Sequence, residues 1–145
     1  MNTYKNLEIY QLAFSLSIKI YRLNISLPQY IFLKQGNWLR WSSIKIKDLI
    51  IEGCSKDNDE KDLIRFLTIA DSLCNEIILQ LKKINTNNYG KKSVHDLIIS
   101  YRNLKKKIEN TIEKIEKRKD EPVIPFFNPT LKGWATQGWK TQAAT

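Results

Sequence analysis

Three groups of residues in this 145-residue chain carry side chains that could do chemistry. The first is His95, the only histidine, standing beside Asp96. A His–carboxylate pair can act as an oriented base, but it needs a nucleophile within reach, and no Ser or Cys is spaced to serve it. It reads as a capped surface histidine at the start of a helix. The second is Asp57-Asn58-Asp59, which resembles the opening of a calcium loop. Lys61 then falls at the third ligand position and Asp62 replaces the glycine of the sharp turn, so the calcium reading fails. No glycine-rich phosphate loop, no Cys/His cluster for zinc and no Glu-x-x-His pair for a di-iron bundle occurs in the sequence. The reading is that of a non-enzyme, with no metal or cofactor expected.

The third group is basic. Net charge is +9, and the excess is uneven: residues 1–89 carry 12 basic and 9 acidic side chains, residues 90–145 carry 12 and 6. Near the end, Lys106, Lys107, Lys114, Lys117 and Arg118 fall opposite an apolar seam at 100° per residue, and Arg102 and Lys105 border them. Glu109, Glu113 and Glu116 gather on one flank. A merely solvated face mixes signs through i,i+4 pairs. Segregation predicts a cationic ridge suited to phosphates. The plain alternative is a soluble, Lys-rich surface, with Lys117, Arg118 and Lys119 offsetting a helix macrodipole by about 0.3–1 kcal/mol each. A ridge of this kind grips backbone without reading sequence, so RNA or RNA/DNA held by shape or as a single strand is the expected ligand.

These side chains need helices to position them. Leu7, Tyr10, Phe14, Ile18, Tyr21 and Ile25 recur at spacings of 3 and 4, which predicts a helix over about 5–26 with that face inward. Leu27-Pro28 ends it. A second helix is expected over 30–53, with Trp38, Trp41, Ile44, Leu49 and Ile50 as its bulk and Gly53 as its stop. A third starts near Asp57, where Asp57 and Glu60 have capping-box spacing, and carries a seam of Leu63, Phe66, Ala70, Leu73, Ile77, Leu81 and Ile84. A fourth starts at Ser93, with Val94, Leu97, Tyr101, Leu104, Ile108, Ile112 and Ile115 as its seam, and ends before Pro122. Long helices joined by short loops predict an all-α, antiparallel up-down four-helix bundle over residues 1–120. Of the two cysteines, Cys74 falls on a core face and Cys54 near a helix end as a free thiol. No run is long and apolar enough for a membrane span, and the N-terminus lacks a signal core, so a cytoplasmic protein is expected.

Residues 121–145 are expected to form an extended, Pro- and Trp-containing tail. It holds Phe126 and Phe127 and then a repeat, Gly133-Trp134-Ala135-Thr136-Gln137 followed by Gly138-Trp139-Lys140-Thr141-Gln142. Phe126, Phe127, Trp134 and Trp139 read as anchors of a docking peptide. A loose or appended tail is the other reading.

Three stretches resemble a known family. Tyr4 to Ala13, continuing to Ile20-Tyr21, is similar to the first helix of the bacterial four-helix-bundle proteins encoded in intervening sequences of large-subunit ribosomal RNA genes. Arg40, Ile46, Ile50, Glu52 and Gly53 resemble the family's second helix. Arg65 to Ala70 with Glu76, Gln80 and Leu81 resembles its third. Lys47 stands in place of a typical proline, Ser72-Leu73 replaces the usual Gly-Ser, and Trp38 and Trp41 are bulky where small or basic residues are usual. These departures point toward the related accessory variability determinants of diversity-generating retroelements. That resemblance implies a homopentamer with no catalytic residue, bound to RNA and to a reverse transcriptase. Two further readings stay open: a ribosomal intervening-sequence protein whose role the resemblance does not define, and a pure protein-interaction scaffold with incidental charge.

Overall fold

The computed structural model describes residues 7–55, 57–85 and 91–120, without the side chains of 85 and 118–120. Every element among them is helical. Helix α1 is Glu8–Ser26; α2 runs through three sections, Gln29–Ile31, Phe32–Gly36 and Asn37–Gly53; α3 is Glu60–Asn85; α4 is Lys91–Asp120. The chain divides into two compact units, Met1–Ile115 and Glu116–Thr145. The bundle belongs to the first, and residues 116–120 of α4 to the second. The tail residues Phe126, Phe127, Trp134 and Trp139 lie outside the described residues.

Each helix starts or stops for a local reason. Leu27 is extended (φ −81°, ψ 145°) because the ring of Pro28 disfavours a helical residue before it. At the end of α2, Gly53 lets α3 pack closely: a Cβ there would stand 2.8 Å from Leu63 Cδ1 of α3 and would make that side chain shift. Asn58 Nδ2 donates to the Glu52 carbonyl, satisfying one of the free acceptors of the last turn. The expected capping box of Asp57 and Glu60 gives way to Asp59, whose Oδ1 accepts from the Asp62 amide at 2.9 Å. The cap moves because α3 starts at Glu60, which leaves Asp59 at the boundary position.

Residues 32–36 depart from regular α geometry and form a π-helical turn. Such a turn inserts one residue into the helix and frees a carbonyl. The side chain of Asn24 packs on the end of this turn, its Nδ2 donating to Gly36 O at 2.9 Å inside the bundle. Gly36 permits the approach, since a Cβ there would meet Asn24 Oδ1 at 2.9 Å.

Four pairwise contacts set the topology. Asn24 meets Gly36 across α1–α2, Gly53 meets Leu63 across α2–α3, Lys105 meets Asp71 across α3–α4, and Lys107 meets Glu8 across α4–α1. All four adjacent pairs are antiparallel, so the architecture is the expected up-down four-helix bundle. Its core runs from Ile9, Leu16 and Ile20 through Leu39, Ile46 and Ile50 to Leu67, Ile77, Leu81, Tyr101, Leu104 and Ile108.

The α4 seam lies where the periodicity puts it: Val94, Leu97, Tyr101, Leu104, Ile108 and Ile115 are buried, with Ile112 half-buried. The α3 seam shifts slightly, bringing in Leu67, Cys74 and Ile78 and leaving Leu63, Phe66 and Leu73 half-buried. The α1 expectation is wrong. Ile9, Ala13, Leu16, Ile20 and Leu23 face inward, whereas Phe14, Ile18, Tyr21 and Ile25 are exposed. Helix α1 carries two apolar stripes about 140° apart at 100° per residue. The inner one is narrow and lets the bundle axes approach closely. The outer one holds the bulkier rings. Trp41 of α2 is likewise exposed, and Trp38 only packs on the rim of the core.

Candidate nucleic-acid interface

Helix α4 sorts its cations by distance from the buried seam. Lys105 lies four residues beyond Tyr101 and Lys107 three beyond Leu104, so both flank the seam and lean against neighbouring helices. Lys105 Nζ is 3.3 Å from Asp71 Oδ1 of α3 and 2.6 Å from Glu109 Oε2 one turn on. Lys107 Nζ is 3.2 Å from Glu8 Oε2 at the start of α1. Arg102, Lys106 and Lys114 point to solvent and make no ion pair among the described residues. In the second unit Lys117 is exposed; the Arg118 side chain lies outside the described residues.

The ridge is therefore narrower than the helical plot suggests. Lys105 is held by two carboxylates of the same protein and is no free phosphate ligand. The plot missed this because Asp71 stands 34 residues earlier in the chain, on another helix. It also missed Lys19 and Arg22 of α1, which line a hollow with Ser93, Asp96, Leu97 and Ser100 of α4. Only the topology shows that these α1 cations join the α4 surface.

The Asp71–Lys105–Glu109 cluster has strong internal electrostatics. Burial and the neighbouring Glu109 carboxylate hold the Asp71 carboxyl above its ordinary range, against the pull of Lys105. The hydrogen bond from Lys105 holds Glu109 below its own range. That same bond, aided by the charge of Asp71, keeps the Lys105 ammonium protonated to higher pH than usual. Cys74, in the core beside this cluster, is pushed to about 12, first by burial and then by the negative charge of Asp71. A thiol so far from ionising is a packing residue and a poor nucleophile. Burial also raises Cys54, though less of it is covered. Tyr101 is raised by burial, and its hydroxyl has no hydrogen-bond partner among the described residues.

His95 and Asp96 are exposed in the first turns of α4. Asp59 caps α3, the role that removes it from any calcium loop. No group of three or more His, Cys, Asp or Glu side chains converges as a metal site among the described residues. No described helix is long and apolar enough to cross a membrane. The Arg65–Ala70 stretch divides by face: Arg65 is exposed and pairs with Asp62 at 2.9 Å, whereas Leu67 and Ala70 are in the core.

The outer face of α1 is the second surface of interest. Tyr10 and Phe14 stack with ring planes 3° apart. The Arg40 guanidinium of α2 lies 4.6 Å from the centre of the Tyr21 ring. Phe14, Tyr21 and Ile25 on this face are exposed by 46%, 49% and 68%, and Trp41 of α2 by 56%.

Architecture and sequence together define an up-down four-helix-bundle protein with a cationic last helix. Residues 5–116 match the family of 23S rRNA-intervening sequence proteins, and the chain belongs to that family. The match spans all four helices, so the departures at Lys47, Ser72 and Trp41 are compatible with membership. Comparison with curated proteins and with solved structures returned no match.

Proposed function

We propose that the protein is an oligomeric, nucleic-acid-binding accessory protein that works by holding partners and not by catalysis. The observation that carries this reading is the set of exposed cations Arg102, Lys106 and Lys114 on α4, which make no ion pair among the described residues, in a chain of net charge +9. Lysines and arginines without internal partners release counterions when they meet phosphates, which is the main source of sequence-independent affinity. The residues best suited to chemistry have structural duties instead: Asp59 caps a helix, and Cys74 and Tyr101 fill the core.

The exposed stripe of α1 with Trp41 supports self-association, since burying such a stripe against a second copy removes it from water. The resemblance to retroelement accessory proteins supports a pentamer and a reverse transcriptase as the protein partner, with Phe126, Phe127, Trp134 and Trp139 as docking anchors. A cytoplasmic location belongs to the same reading. A second reading, a self-assembling scaffold without nucleic acid, is favoured by the pairing of Lys105 and Lys107 with carboxylates.

Anisotropy titration of a labelled RNA oligomer at rising salt tests the choice. The nucleic-acid reading expects affinity to fall steeply with salt and the triple change R102E, K106E, K114E to abolish binding with helicity and assembly intact. Affinity that ignores salt leaves the scaffold. Co-expression with a reverse transcriptase followed by mass measurement tests the partner and the subunit number.

A further inference from the structure

The nucleic-acid reading leaves one structural feature unused: the seam between α1 and α4 is hollow at two places. Near its upper end a cavity of about 390 Å³ is lined by Lys19, Arg22 and Ser26 of α1 and Ser93, Asp96 and Ser100 of α4, over Leu23 and Leu97. Lower down, a hollow of about 280 Å³ is bordered by Lys107 and Lys114 of α4 and by Glu8 of α1. Leu23 and Ile9, one at each hollow, are 14 positions apart on one helix, about 20 Å at 1.5 Å per residue.

We propose that the upper hollow is a nucleotide-binding site and that a single strand of nucleic acid follows the α1–α4 seam from it toward Lys114. The inference rests on the nucleic-acid reading and gives it a place. Four features of the upper hollow fit one nucleotide. Lys19 and Arg22 are exposed at its edge and make no ion pair among the described residues, so both are available to a phosphate. Leu23 and Leu97 are buried and give an apolar floor against which a base can lie. The hydroxyl of Ser26 donates to the Leu23 carbonyl at 2.7 Å, which leaves its oxygen as an acceptor beside two further serines. Asp96 completes the set.

Asp96 decides between ligand chemistries. A carboxylate repels a bare anion, so a site built for inorganic phosphate has no use for it. A nucleotide carries hydrogen-bond donors as well as a phosphate, on its base amino groups and ribose hydroxyls, and a carboxylate accepts from these. The cavity also falls in the size range of small-molecule sites, about 300–1,000 Å³. The span of about 20 Å to the lower hollow accommodates several nucleotides, with cations at both ends.

The test is anisotropy of a labelled single-stranded RNA 12-mer with the full chain across a salt series. The variant K19E/R22E is expected to weaken binding at least tenfold and to flatten the log–log salt slope by about 0.7, because the one phosphate these two cations share is no longer neutralised and each phosphate of a single strand takes about 0.7 from the slope. Both side chains are exposed, so helicity and melting temperature serve as the folding control. Asp96→Asn is expected to weaken the oligomer while tightening inorganic phosphate. Photo-crosslinking with 4-thiouridine in the oligomer is expected to mark peptides covering 19–26 and 93–100. If R102E/K106E/K114E abolishes binding but K19E/R22E does not, the site is wrong and the broader reading stands. If the wild-type chain shows no salt-dependent binding, both fall. If Asp96→Asn tightens the oligomer as well as phosphate, the hollow is a plain anion site and the nucleotide assignment is overturned.

Discussion

Helices α1 and α4 pose the same problem and solve it differently. Helix α4 has one continuous apolar stripe, with Ile99 the single large apolar side chain left exposed outside it, so the face that must be buried is unambiguous. Helix α1 has two stripes, and the bulkier one ends up outside. The contrast shows that periodicity identifies a helix better than it identifies the inward face. A seam of Ile, Ala and Leu packs closely against neighbours on both sides, whereas a seam of Phe and Tyr would force the bundle axes apart. Rings left outside are then available for a partner.

The largest expected effect breaks this contrast at its root. Leu16→Ala, in the inner stripe, should destabilise the fold by about 3 kcal/mol through lost transfer energy and a cavity. Ile18→Ala, two positions away on the outer stripe, should cost under about 1 kcal/mol, as is usual for exposed sites. Urea denaturation of both variants measures the difference, and equal losses would mean that the two faces are interchangeable. Next, on the proposed self-association through the outer stripe of α1, Phe14→Glu with Tyr21→Glu should reduce the solution mass to that of a monomer and leave the melting temperature of the bundle within a few degrees. A wild-type chain that is monomeric, or a variant whose mass stays unchanged, would overturn the role proposed for this stripe.

Helix α4 offers a subtler comparison, between Lys105, held by carboxylates, and Lys106, which is free. Lys105→Met should cost about 1 kcal/mol at neutral pH, since the half-buried Asp71 and the exposed Glu109 lose the cation they share, whereas Lys106→Met should be nearly silent. The pH dependence has a definite sign. Glu109 sits below its ordinary range, so its contribution is present at neutral pH and lost as pH falls through its folded value. Asp71 sits above its range, so it favours the fold below that range, an advantage lost as pH rises through its folded value. Without Lys105 the two carboxylates repel each other unopposed. The deficit of the variant should therefore shrink as acid protonates them, and a deficit that grows in acid would contradict the cluster. At the small end, Tyr101→Phe removes a buried hydroxyl with no partner among the described residues and should change stability by less than about 1 kcal/mol, in either direction. Thiol labelling sharpens the same core: native protein should lose Cys54 to iodoacetamide and retain Cys74 until it unfolds.

Much of the bundle was legible from residue order. The α4 seam, the stop at Leu27-Pro28 and the burial of Cys74 follow from local pattern, because a helix repeats every few residues and a proline acts on its neighbour. The π-helical turn at 32–36 was not legible. It is accompanied by Asn24 reaching Gly36 from another helix, and no window around residue 36 contains that partner. The candidate interface was half legible. Arg102, Lys106 and Lys114 are exposed as the helical plot suggested, but the loss of Lys105 to Asp71 and the gain of Lys19 and Arg22 are cross-helix facts.

Amino-acid order alone determined four amphipathic helices, their direction reversals and a cationic C-terminal half, since each arises from neighbours within a few residues. Tertiary structure decided which stripe of α1 is buried, which lysines keep their charge available, and that α1 and α4 together enclose a polar hollow. Those outcomes depend on side chains dozens of residues apart, and only packing brings them within a few ångströms of one another.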